Sequence, residues 1–98
     1  MKKEEICRII EKKDDKHIKS AVMSLLQDFI KGKKPVDDII FFPNCLESVP
    51  LELGWDKPYT VKDEVLIQVL GVMSGFDELD ERDAKERAQE MLNILRIK

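Results

Sequence analysis

Pro35-Val36-Asp37-Asp38-Ile39-Ile40-Phe41-Phe42-Pro43 packs apolar bulk, paired acids and two prolines into nine residues, and its reading decides whether the chain is all-helical. As a strand, Ile39 to Phe42 would be a short buried run of high β propensity, which periodicity alone does not separate from a helix. As a helix, Pro35 suits the first turn, where its missing N–H has no partner to lose. Asp37 and Asp38 then fall at the positive end of the dipole. Pro43 disfavours helical angles at Phe42, so the predicted helix is short and stops there. With Val36, Ile39 and Ile40 turned to the core, Asp37, Asp38, Phe41 and Phe42 occupy the other side. That side is either covered by a neighbouring segment or displayed as a recognition face.

The flanking segments decide for helix. Ile18, Ala21, Val22, Leu25, Leu26, Phe29 and Ile30 follow the i, i+3, i+4, i+7 spacing without a miss, which predicts a helix over 15–31. Asp14 and Asp15 offer its N-cap, and Gly32 a left-handed C-cap. Upstream, Ile6, Ile9 and Ile10 give a weaker amphipathic helix over 3–13. Downstream, residues 44–59 read as a long loop holding Pro50, Gly54, Trp55 and Pro58. Trp55 is the chain's one tryptophan, either a lid on the core or an interface anchor.

Thr60-Val61-Lys62-Asp63 resembles a capping box and opens a helix striped by Val65, Leu66, Val69, Leu70, Met73 and Phe76. Gly71 inside it costs propensity, which a close neighbouring helix would explain. Asp80 caps a last helix with Ala84, Ala88, Met91, Leu92 and Leu95 inward and a charged outer face. The predicted fold is all-α, an irregular bundle of four main helices plus one short central helix and a long loop, with residues 1–98 as one domain.

Composition narrows the function. With 43% hydrophobic and 38% charged residues, the chain reads as a helical protein with a heavily solvated surface. Neither an export signal nor a membrane-length apolar run is visible. A cytoplasmic location is therefore expected, with Cys7 and Cys45 as thiols. Residues 1–36 carry a charge balance of +4 and residues 37–98 one of −7, matching the net −3.

Catalytic chemistry is poorly provided for. His17 is the only histidine, no nucleophile motif accompanies it, and pairing with Cys45 would have to come from the fold. Two cysteines and one histidine make no zinc pattern. No calcium loop or phosphate-cradling glycine loop is present either, so no cofactor is expected. Lys12, Lys13, Lys16, Lys19, Lys31, Lys33 and Lys34 would attract nucleic acid as a basic stripe. Arg8 is the only arginine in residues 1–36, and this and a pI near 5.2 argue against it. A small DNA-associated regulator stays open as an alternative. So does a self-associating module or homodimer, from the apolar excess of the 61–76 helix.

The run Asp38-Ile39-Ile40-Phe41-Phe42-Pro43 resembles the Asp-Leu-Ile-Tyr-Tyr-Pro motif of the immunity proteins that protect bacteria from nuclease colicins and pyocins. Those are small, acidic four-helix cytoplasmic proteins whose short third helix carries the motif. The resemblance implies a non-enzymatic, all-helical inhibitor, with Asp38, Phe41 and Phe42 at the positions that touch the toxin. Here the tyrosine hydroxyls are absent, and the preceding helix is lysine-rich where that family uses acids. The chain also continues through a long loop and two helices where the family has one. The expected role is that of a protein-binding module, most concretely an immunity or antitoxin-type protein occluding a basic toxin surface. Asp37, Asp38, Phe41, Phe42 and Trp55 are its expected contacts.

Overall fold

The computed structural model describes residues 3–52, 54 and 60–97. It contains five α-helices: α1 (Lys3–Glu11), α2 (Asp15–Ile30), α3 (Val36–Glu52), α4 (Glu64–Met73) and α5 (Glu81–Ile97), with a 3-10 turn at Phe76–Glu78 before the last. No strand occurs among the described residues, so the all-α expectation holds.

The helix α2 starts and stops where its sequence requires. The Asp14 carboxylate accepts the Lys16 N–H at 2.9 Å, satisfying one of the first-turn donors that no helical carbonyl can reach. At the other end Gly32 takes φ +78°. Its N–H bonds the Phe29 carbonyl at 3.0 Å, and the Lys33 N–H bonds the Asp28 carbonyl at 2.8 Å. That pair of bonds is the Schellman arrangement, which consumes last-turn carbonyls and reverses the chain. Ile18, Val22, Leu25, Leu26 and Phe29 are buried along one face.

The approach to α4 is fixed from a distance. The Asp15 carboxylate, in the first turn of α2, accepts the N–H groups of Lys62 and Asp63 at 2.9 and 2.7 Å. The Asp63 carboxylate in turn accepts from Val65 and Leu66. Asp63 is thus itself the N-cap of α4, displacing the predicted cap at Thr60 by three positions. Asp80 caps α5 through the Asp83 N–H at 2.8 Å.

The largest departure is α3. Pro43 does not end it; the helix runs 17 residues to Glu52, so the short central helix becomes one of the two longest. An internal proline costs about 3 kcal/mol in an isolated helix. Here the segment beyond Pro43 carries Cys45, which is buried with Ile39 and Phe42 at spacings of three residues. Burying Phe42 alone is worth about 2–3 kcal/mol, so packing offsets the local penalty. The segment read as a loop from residue 44 is helical to Glu52, and Gly54 follows at φ +78°.

One continuous core draws on all five helices and the 3-10 turn: Ile6 and Ile10 from α1, Val22 and Leu26 from α2, Ile39 and Phe42 from α3, Leu66 and Met73 from α4, Leu92 and Leu95 from α5, with Phe76 from the 3-10 turn. Phe29 and Phe76 meet with ring centroids 6.1 Å apart and planes tilted by 57°, an arrangement the ring quadrupoles favour. The helix α2 packs most extensively on α5, while α3 lies against α1, α2, α4 and the 3-10 turn. No charged or polar residue is buried among the described residues. None of the described helices is long and apolar enough to cross a membrane.

Candidate protein-binding face

The residues singled out around Pro35–Pro43 divide between the two sides of α3. Phe42 is wholly buried and belongs to the core, so it is removed from the expected contact set. The helical phase explains the correction. Ile39, Phe42 and Cys45 define the buried line, with Val36, Ile40 and Leu46 half-buried along its flanks. The inner face is therefore centred on the line from Ile39 to Phe42 and not on Val36, Ile39 and Ile40.

Phe41 remains 37% exposed. Asp37, one turn earlier on the same side, is exposed, and Asp38 is half-buried. Trp55 lies outside the described residues. The structure thus gathers Asp37, Asp38 and Phe41 on the first turns of α3 and separates Phe42 from them.

The extended helix adds contacts that the sequence reading missed. Exposed Asn44, Ser48, Leu51 and Glu52 follow Asp37 and Phe41 at helical spacing, and Leu51 is 68% exposed. The signal for them was present in the i+4 and i+7 intervals from Asp37, but the proline at position 43 interrupted it. The resulting face alternates carboxylate, aromatic ring, small polar groups, an aliphatic side chain and a second carboxylate. No lysine or arginine occurs anywhere in α3, so its acids are not neutralised from within the helix.

The lysines do not form one stripe. Lys12 and Lys16 are exposed where α1 meets α2, whereas Lys31 and Lys33 are exposed beyond the far end of α2. Lys16 is the second residue of α2, and its fifteen steps to Lys31 span roughly 22 Å at the rise of an α-helix. Across most of that length the outward positions are Ser20 and Ser24, both exposed. Lys19, between the two groups, is half-buried, so the exposed lysines on α2 and its flanks fall into two clusters.

His17 sits at the start of α2, its Nδ1 3.1 Å from the Asp14 carboxylate. The backbone N–H of Lys16, followed by His17, holds the Asp14 carboxyl below its ordinary range, against a smaller opposing effect of burial. Cys45 is buried, which withholds its thiol from solvent. Among the described residues no three His, Cys, Asp or Glu side chains converge in a way that could hold a metal. The acids and bases of α5 pair along its outer face, Lys85 with Glu81 at 3.2 Å and Arg82 with Glu86 at 3.5 Å, as solvated i, i+4 pairs do. Comparison with protein-family models, with curated proteins and with solved structures finds no match to this chain.

Proposed function

We propose that this chain is a non-enzymatic protein-binding module, of the immunity or antitoxin type, that acts in the cytoplasm and covers a basic surface on a toxin. The observation that carries the reading is the exposure of Phe41 beside Asp37 on a helix without a single cation. The ring keeps about a third of its surface in solvent beside a carboxylate. It matches the anatomy of an interface centre, where an aromatic anchor excludes water and surrounding charges pair with the partner. Leu51 and Glu52 extend the same face and enlarge the area a partner can cover. The acid excess of residues 37–98 would speed encounter with a cationic partner.

The test is co-expression with the product of the adjacent reading frame, followed by calorimetric titration of the purified pair. Phe41→Ala should weaken the complex by roughly tenfold or more, as loss of an aromatic anchor does. Asp37→Asn should chiefly slow association and flatten its salt dependence. Absence of a complex, or full affinity in the Phe41→Ala protein, removes the reading.

A further inference from the structure

Where α2 turns into α3, opposite the 3-10 turn and the start of α5, the surface opens into a groove of about 630 Å3. Its apolar wall is formed by Pro35, Val36 and Leu79 over the buried rings of Phe29 and Phe76. Three lysines, Lys33, Lys34 and Lys85, line it together with Asp77 and Glu81.

The charges do not cancel. Glu81 is already engaged by Lys85 at 3.2 Å. Lys33 and Lys34 have no ion pair among the described residues, and Lys34 is nonetheless half-buried. The Schellman turn fixes the Lys33 backbone through its N–H bond to the Asp28 carbonyl. It also occupies the α2 carbonyls that would otherwise repel an anion here. Pro35 and Val36 bring the N-terminal end of α3 to the same groove, where Asp37 and Asp38 already offset the helix dipole, so the two lysines are the groove's uncommitted positive charges.

We propose that this groove binds a small organic carboxylate with a compact apolar body, its carboxylate held by Lys33 and Lys34 and its body laid against Pro35, Val36 and Leu79. The volume falls within the range usual for small-molecule sites. The single unpaired acid, Asp77, disfavours dianions and leaves room for one negative charge. The assignment does not depend on the protein-binding role.

The experiment is a titration of isotope-labelled full-length protein with phenylacetate, followed by backbone amide resonances, with neutral phenylacetamide as the matched probe. Phenylacetate should give saturating shifts at Gly32, Lys33, Lys34, Val36 and Leu79, and phenylacetamide should bind at least roughly tenfold more weakly, the value of a charge-assisted hydrogen bond. The Lys33→Met, Lys34→Met double variant should lose a similar factor with its thermal midpoint unchanged. Lys12→Met, Lys16→Met, which removes the same charge at the other end of α2, should bind as the wild type does. Equal binding of the neutral amide overturns the assignment. Shifts that rise without saturating overturn it too, as does an equal loss in the Lys12, Lys16 control. If the double variant fails to fold, the comparison of the two probes on the wild type decides alone.

Discussion

The carboxylate of Asp15 accepts the backbone N–H of Asp63 at 2.7 Å across 48 positions of sequence. With the Lys62 N–H on the same oxygen, one side chain of α2 sets the angle at which the chain begins α4. Asp15→Ala leaves two amides without that acceptor. It should cost about 2 kcal/mol, the usual scale for hydrogen bonds to a charged group, read as a lower midpoint in urea unfolding. Asp15→Asn, which keeps an acceptor oxygen without the charge, should lose about half as much.

Neighbouring phenylalanines should behave oppositely. Phe42 is fully buried and Phe41 is 37% exposed. Phe42→Ala is expected to destabilise by about 3–5 kcal/mol, through lost transfer energy and a cavity. Phe41→Ala should cost under about 1 kcal/mol. Thermal unfolding of the two variants measures the contrast directly, and comparable losses would place Phe41 in the core.

Acid should weaken the cap on α2. The folded state depresses the pKa of Asp14, chiefly through the Lys16 N–H and then through His17. The charged carboxylate therefore contributes stability above its unfolded pKa of about 3.9, and that contribution is lost as pH falls through the lower folded value. Melting points of wild type and Asp14→Ala should differ near neutral pH and converge in acid. A gap that stays constant with pH would assign the cap's value to something other than the charge.

Gly71 should be replaceable. The close approach of another helix was the expected reason for it, but an added Cβ meets nothing within 4 Å and the residue is exposed. Gly71→Ala should therefore raise stability by about 1 kcal/mol, the propensity difference between the two residues in a helix interior. Denaturant titration gives the sign.

The parts of the fold that were legible share one property: many residues vote on a single phase. In α2 the buried set Ile18, Val22, Leu25, Leu26 and Phe29 lies within the expected stripe, with Ala21 and Ile30 half-buried at its margins. In α5 Ala84, Ala88, Met91, Leu92 and Leu95 are all buried as expected. The central run offered only four large apolar side chains between two prolines, and two different rotations of the helix explain them equally well. Cys45 and Leu46 break the tie, but both lie past Pro43, where a rule of local conformation argued that the helix had ended. The same rule hid Asn44, Ser48 and Leu51 from the candidate face. Local preference was overridden by burial of Ile39, Phe42 and Cys45, a tertiary effect that no short window contains.

The two prolines inside α3 leave a mechanical signature. Neither Pro43 nor Pro50 has an amide hydrogen, so the carbonyls of Ile39 and Leu46, four positions earlier, receive no rung from within the helix. The α3 helix thus runs unbroken through two missing rungs, held to the core along Ile39, Phe42 and Cys45, so burial rather than its own hydrogen-bond ladder keeps it continuous.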